Sequence, residues 1–278
     1  MPRRRKSKRK ISKQPHVLPK VIVKQTPPTR PRININELLG HLVVPSPLEP
    51  INFPLDSRKL PNIPTLGTFP FYGCMTVLSS PMSSSAILPA LASIDQLPVS
   101  HDHCLLYFRP SDRAAIINIP LTISSPSSLS DSLYQILFAL TISNLVCFEV
   151  DPATDLEYIV HQLTTAQPLL FDSVKFGRTF PSDTILVFVC DSNYPVEPIL
   201  GILTDSTFIP YPSRNVHVIN DSLIGQVNRI NQLFSDSVVS FGLTEQQWWE
   251  LVKANLSIAY KTFNSFTKYQ KRPSIKGR

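Results

Sequence analysis

The sequence predicts a three-layer α/β domain built on a mainly parallel sheet. Two observations carry that expectation. From Phe71 onward, apolar β-type runs alternate with helix-compatible stretches, the order from which crossover connections build a parallel sheet. Several runs, Thr184-Ile-Leu-Val-Phe-Val-Cys190 and Leu145-Val-Cys-Phe-Glu-Val150 among them, are apolar on both faces, which suits strands covered by helices on both sides.

Residues 1–32 read as a disordered basic tail, because Lys, Arg and Pro dominate and only Val21, Ile22 and Val23 form an apolar run. Residues 33–70 read as a Pro-rich extended strap. Pro45, Pro47, Pro50, Pro54, Pro61 and Pro64 forbid a regular helix or a central strand, while Ile35, Leu38, Leu39, Leu42, Val43 and Val44 can lay the segment along a body. The α/β domain occupies 71–278. Strands are expected at 71–79, 103–108, 114–119, 145–150, 184–190 and 215–219, with helices at 84–95, 129–143, 153–167 and 221–235. The long C-terminal helix, 244–269, has the sharpest signals. Thr244 and Gln247 make a capping box, and Glu245 suits the first turn. Trp248, Leu251, Val252, Leu256, Ala259, Tyr260, Phe263 and Phe266 recur at helical spacing. That stripe either docks on the sheet or, in part, meets a partner protein, for which Trp248, Trp249, Tyr260 and Phe263 are the candidates.

The charges are partitioned. The chain has 278 residues, 27 Lys plus Arg and 20 Asp plus Glu, for a formal net charge of +7. Residues 1–32 hold 12 cations and no acid, and 261–278 hold 6 cations and no acid, so 33–260 keeps 9 cations against 20 acids, a net −11. An acidic body argues against a general nucleic-acid-binding face on the folded domain. Only 8 glycines stand beside 27 prolines, which disfavours enzymes that wrap phosphates or dinucleotides in glycine-rich turns. Cys74, Cys104, Cys147 and Cys190 lack C-x-x-C spacing and lie in or beside apolar runs, so they read as reduced core thiols of an intracellular protein. No apolar run reaches about 18 residues and the N-terminus lacks an apolar h-region, so neither membrane spanning nor secretion is expected.

The loops after the strands are where chemistry would sit. After the first strand comes Ser79-Ser-Pro-Met-Ser-Ser-Ser-Ala-Ile-Leu-Pro-Ala90, with no glycine and no lysine, although a phosphate loop needs both. After Ala114–Ile119 no acid appears from Arg113 to Ser130 to organise Mg²⁺. The loop Asp191-Ser-Asn-Tyr194 after Cys190 has polar groups suited to touch a base, and Asp191 serves equally to cap or brace its own turn. His101, His103 and Cys104 read as surface histidines beside a core cysteine. Asp151, Asp155 and Glu157 open a helix behind Pro152, where acids complement the dipole. No nucleophile-elbow spacing occurs. The run Arg3-Arg-Arg-Lys-Ser-Lys-Arg-Lys10 reads first as a solvated tail or import signal, and second as a weak RNA contact, since no aromatics interleave.

Taken in order, these features resemble one family, the smaller G-domain-like subunit of the kinase complex of nonsense-mediated mRNA decay, called suppressor with morphogenetic effect on genitalia nine. Its Pro-Ile-Leu-Ser-Pro-Ser motif after the third strand is echoed by Leu121-Thr-Ile-Ser-Ser-Pro-Ser127. Leu133–Val150, then Thr154-Asp-Leu156 and Gln162-Leu-Thr-Thr-Ala166, are similar to the helix, strand and helix start that follow. Leu243-Thr-Glu245 with Trp248 and a helix ending near Tyr269 is the most specific match. The resemblance spans roughly 70–270. It implies a P-loop NTPase-like, degenerate G domain that heterodimerises with a larger G-domain-like subunit, docks on a phosphatidylinositol-3-kinase-like kinase and restrains it. Family members can carry a glycine-rich phosphate loop with lysine. Here Pro81, Met82, Ser83, Ser84 and Ser85 make a degenerate one, and Cys190-Asp-Ser-Asn193 is not a base-recognition motif.

The expectation is therefore a non-catalytic pseudo-GTPase scaffold of the cytoplasm, and also of the nucleus if the basic run acts as an import signal. It has no catalytic residue, cofactor or metal, and its surface is its function. The last helix, the strap and the helix led by Asp155 are the candidate contacts. The rivals are an RNA-binding or capsid-type protein using its basic arm, and a residual nucleotide-binding protein.

Overall fold

β-branched and aromatic residues cluster in short runs, and among the described residues these settle into a seven-stranded sheet with helices on both faces. The computed structural model describes residues 50–55, 60–63, 66, 67, 71, 73–79, 86–93, 103–109, 111, 112, 114–121, 129–150, 156–172, 184–190, 193, 195–205, 215–237 and 243–270. The chain divides into two compact units, Met1–Pro45 and Ser46–Arg278, and every described residue belongs to the second. The basic tail at 1–32 and the strap from 33 to 49 lie outside the described residues.

The element order is β1 (Ile51–Phe53), β2 (Cys74–Ser79), α1 (Ile87–Ala92), β3 (Cys104–Phe108), β4 (Ala115–Pro120), α2 (Leu129–Ile142) and β5 (Leu145–Val150). It continues with α3 (Leu156–Asp172), β6 (Ile185–Cys190), α4 (Val196–Asp205), β7 (Val216–Asn220), α5 (Leu223–Ser237) and α6 (Glu245–Gln270). In the sheet the order is β1-β3-β4-β2-β5-β6-β7. β4, β2, β5, β6 and β7 run parallel, while β3 is antiparallel to β4 and β1 antiparallel to β3. The antiparallel step has a simple cause, since the connection from Arg109 to Ala114 is too short to hold a crossover helix.

Alternation along the strands sends their side chains to two cores. Leu78, Ile117, Val146, Phe148, Leu186 and Phe188 lie beneath α2, α3 and α6. Met75, Val77, Ile116, Cys147, Val187 and Val189 lie beneath α1 and α5. All these strand residues are almost fully buried, which is why the runs are apolar on both faces.

Three elements differ from the expectation. β1 pairs along the sheet edge within the Pro-rich strap, the place where Pro50 and Pro54 are tolerated on either side of a short strand. α4 occupies a stretch where no helix was expected: Pro198 falls in its first turn, where a missing N–H costs nothing, and Gly201 faces open space. The first helix contracts from 84–95 to Ile87–Ala92, ending on Ser93 in the left-handed conformation.

The amino ends of the central strands are stitched by the two residues linking α2 to β5. Asn144 Oδ1 accepts the Cys74 N–H at 3.0 Å, Asn144 N–H donates to Cys74 O at 2.8 Å, and Ile185 N–H donates to Asn144 O at 2.9 Å. The Ser143 hydroxyl meets Thr76 Oγ1 at 2.5 Å, and Thr184 Oγ1 donates to Ser143 O at 3.1 Å. These buried polar groups are satisfied by one another, so the sheet's register is pinned at this end.

The last helix and the strap hold each other. The capping box forms as expected, with Gln247 N–H donating to Thr244 Oγ1 at 3.2 Å and Thr244 N–H donating to Gln247 Oε1 at 2.9 Å. Trp248 stacks on Phe71 at 4.6 Å between ring centroids, and Trp249 meets Phe53 edge-on at 6.0 Å. Trp249 Nε1–H donates to Pro61 O at 3.0 Å, Phe71 N–H donates to Leu243 O at 2.8 Å, and the buried Glu245 carboxylate accepts the Gly67 N–H at 3.4 Å. Leu55, Leu60, Ile63 and Leu66 of the strap are buried in the same core. Among the described residues, no helix is long and apolar enough to cross a membrane.

Candidate functional site

The connections after β2 and β4 leave toward opposite faces, α1 joining one core and α2 the other. These two strands are parallel neighbours, so the crevice beyond their carboxyl ends is the topological switch point at which open α/β sheets hold ligands. The sequence places Ser79 at the end of β2 and Asn118 near the end of β4, both almost fully buried and both on the α1 side by alternation. The Ser79 hydroxyl donates to Asn118 Oδ1 at 3.0 Å, and the Leu121 N–H donates to Ser79 O at 2.8 Å. Gln135 of α2 reaches the same end, its Nε2 donating to Pro120 O at 3.0 Å. Farther along, Gln226 of α5 donates to Cys190 O at 2.7 Å and to Asp221 O at 2.9 Å. Polar groups at the carboxyl ends of β2, β4 and β6 are thus engaged by neutral side chains of the chain itself.

Among the described residues, the charge at this end is negative. Glu149 of β5 sits one residue past the Leu78–Phe148 pair and is only partly exposed. Burial pushes the neighbouring Cys147 thiol up, and the Glu149 charge adds to the effect. No Lys or Arg occurs on β2, β4, β5 or β6. Among the described residues, an anion brought here would meet the paired side chains of Ser79 and Asn118, with the Glu149 carboxylate on the adjacent strand.

The degenerate phosphate loop, Pro81, Met82, Ser83, Ser84 and Ser85, lies outside the described residues, as do Asp155 and Asp191. Among the described residues, no group of three or more His, Cys, Asp and Glu side chains is placed to hold a metal ion. His103 is exposed at the start of β3, while Cys104 beside it is buried. All four cysteines are buried thiols. Burial pushes the Cys74 thiol up to about 12, against the weaker pull of its Ser143 and Thr76 hydrogen bonds, and burial also raises Cys104. Thiols held in this state are inert at neutral pH.

The candidate contact residues on α6 separate into two groups. Trp248 and Trp249 are 3% and 2% exposed and in contact with each other, Trp248 also with Phe71 and Phe108 and Trp249 with Phe53 and Pro61 of the strap, so both belong to the core. Their spacing matched a docking stripe because the stripe does dock, on the chain's own sheet and strap. Tyr260 and Phe263 are half-buried, with ring centroids 6.2 and 6.0 Å from Tyr134 of α2. The large apolar residues among the described ones that face solvent lie elsewhere: Leu200 on α4, and Leu223 and Ile224 at the start of α5.

One polar cluster is not visible in the sequence pattern. Arg109, buried at the end of β3, gives its Nε–H to Asp112 Oδ1 at 2.8 Å and a second N–H to Asp112 Oδ2 at 2.5 Å. A third N–H reaches Asn231 Oδ1 of α5 at 2.5 Å, with Phe234 beneath the guanidinium at 6.0 Å. Burial opposes ionisation of Asp112, but the hydrogen bonds from Arg109 and the Ala114 N–H, with the Arg109 charge, outweigh it and hold the carboxyl below its ordinary value. The Arg-x-x-Asp spacing across a short turn is the one local signal. Its third partner is 122 residues away and cannot be read locally.

No family model matches the chain, and no curated protein matches it either.

Proposed function

We propose that this protein is a non-catalytic scaffold with a degenerate G-like domain, a regulatory subunit whose function is its surface. In this reading it pairs with a larger G-domain-like subunit and modulates a phosphatidylinositol-3-kinase-like kinase in nonsense-mediated mRNA decay, as the resemblance of residues 70–270 implies. One observation carries the non-catalytic part. Among the described residues, the switch-point end of the sheet presents the neutral Ser79–Asn118 pair, with Glu149 as its nearby charge, where a nucleotide enzyme would place cations. The mixed sheet with helices on two faces is compatible with a P-loop-like ancestry, and the family motifs select among such folds.

The test is a pull-down and size measurement with a larger G-domain-like subunit from the same cell. The expected outcome is a stable complex of defined stoichiometry, and a chain that stays monomeric with no such partner overturns the reading. Calorimetry with GTP, GDP and ATP in Mg²⁺ is expected to show no micromolar binding. A second reading, an RNA-binding protein with a basic arm, is favoured by the 12 cations and no acid in residues 1–32. In that case deleting 1–32 would abolish function, and the intact chain would show steeply salt-dependent RNA affinity.

A further inference from the structure

The two edges of the sheet are finished differently. β1 spans three residues between Pro50 and Pro54, and Trp249 packs on its Phe53, so that edge is short, flanked by prolines and clasped. β7 at the other edge has five residues, Val216-His-Val-Ile-Asn220, with no proline, lysine or carboxylate. Among the described residues β7 has a strand neighbour on one side only, β6, so half of its backbone N–H and C=O groups point away from the sheet. The interior strands are buried almost throughout, whereas on β7 Val216, Val218 and Asn220 on the α4 side and His217 on the α5 side are half-buried. The large apolar side chains that face solvent, among the described residues, are Leu200 of α4 and Leu223 and Ile224 of α5, and both helices pack on β7. Uncovered apolar surface is thus gathered on the elements around one edge instead of being scattered over the domain.

We propose that β7 is a self-association surface, on which two copies of the chain pair their β7 strands antiparallel about a twofold axis at Val218, so that two sheets become one. The proposal goes beyond the scaffold reading and does not depend on it. Three features select a second copy as the occupant. A twofold axis perpendicular to the sheet sets Val218 opposite its own counterpart and, on each side of it, Ile219 opposite the imidazole of His217, a ring against a β-branched chain. A foreign strand would find no charged side chain on β7 to direct its register, whereas the twofold fixes it. Asp221 follows β7 directly, and parallel addition of a second copy would set two carboxylates side by side. Antiparallel pairing about Val218 puts each Asp221 opposite Asn215 of the second copy, six residues or about 20 Å from the other carboxylate, beyond the screening length of physiological salt. The same axis keeps both copies of α4 on one face and both copies of α5 on the other, so Leu200, Leu223 and Ile224 each occur twice on the helices flanking the joined edge.

Sedimentation velocity of the full chain, from low micromolar to near-millimolar concentration, is expected to show a monomer–dimer equilibrium that persists at high salt, since no ion pair holds the joint. Hydrogen exchange read at both ends of that range is expected to slow at Val216–Asn220 in the dimer and to stay unchanged at Met75–Leu78 of the central strand β2. Val218→Lys sets two ammonium groups opposite each other and is expected to weaken dimerisation about tenfold or more. Ile224→Asp, at a position 74% exposed, leaves the fold intact and is expected to weaken it by a smaller factor; circular dichroism of each variant checks folding. A chain that stays monomeric throughout, a dimer abolished by salt, a dimer whose β7 amides exchange as in the monomer, or one that both folded variants form as the wild type does overturns the proposal. If Val218→Lys does not fold, the concentration dependence of exchange at β7 in the wild type decides alone. Slowed exchange at β7 only after a larger G-domain-like subunit is added assigns the edge to that subunit, which overturns self-pairing and leaves the scaffold reading standing. A β7 dimer that captures no such subunit leaves self-pairing standing and overturns the scaffold reading.

Discussion

Both faces of the sheet close over apolar cores, and each adds a different fastening. On one, α6 is joined to the strap and to Phe71 just after it by rings, Phe53 against Trp249 and Phe71 on Trp248, over a continuous apolar core. On the other, α5 is tied to the β3–β4 turn by the guanidinium of Arg109, shared between Asp112 and Asn231. The aromatic closure scales with buried area and ignores pH and salt. The polar closure adds little net energy but fixes a geometry, because a buried guanidinium without its partners is costly. The first face buries the larger core, and on the second the guanidinium fixes where the hairpin turn lies against α5.

The sharpest way to break this contrast is Trp249→Ala. The indole is 2% exposed and spans both strap and sheet, so its loss is expected to cost about 3–5 kcal/mol. Chemical denaturation measures the cost, and a loss below about 1 kcal/mol would show that the strap contributes little. Arg109→Ala comes next, at about 1–3 kcal/mol, since it strands Asn231 and Asp112 at the end of a buried strand. Thr244→Ala removes one half of the capping box and is expected to cost about 1 kcal/mol, read as a shift in thermal midpoint.

The smallest effect is also the most discriminating. Asp112 is held below its ordinary value near 3.8, so its ion pair stabilises the fold fully above that pH. The contribution fades as pH falls through the lower folded value. Its side chain is 43% exposed, so solvent screening keeps the effect small. The penalty of Arg109→Ala should therefore shrink at acidic pH, whereas that of Trp249→Ala should not. Parallel melts of the two variants across acidic pH check this, and equal pH dependence would erase the distinction between the faces.

How legible each part was follows from the range of its causes. β5 was readable at 145–150 and β6 at 184–190, because a run apolar on both faces needs no distant information. The capping box of Thr244 and Gln247 was readable for the same reason, its two bonds lying within four residues. β1 was not, since three residues between prolines become a strand only when β3 stands beside them. α4 was hidden by Pro198 and Gly201, residues that argue against helix unless one knows which turn they occupy. At the carboxyl ends, the absence of glycine and lysine was visible as composition. That Ser79 would find Asn118 was not, because 39 residues separate them and only the sheet register brings them together. The aromatic stripe of α6 announced that something would cover it. Only tertiary packing could say that the tryptophans are covered by the chain itself and that Tyr260 and Phe263 are covered only in part.

The clasp between strap and α6 has a consequence for synthesis. Trp249 is 188 residues downstream of the Pro61 carbonyl it binds. At ribosomal speeds, roughly 10–40 s separate the appearance of the two partners. During that interval Phe53, Leu55, Leu60 and Ile63 emerge with no aromatic layer to receive them, and a newly made chain carries an adhesive band that its finished form conceals. A chaperone that recognises extended apolar segments would find its natural client in this stretch, and would be displaced when the last helix arrives.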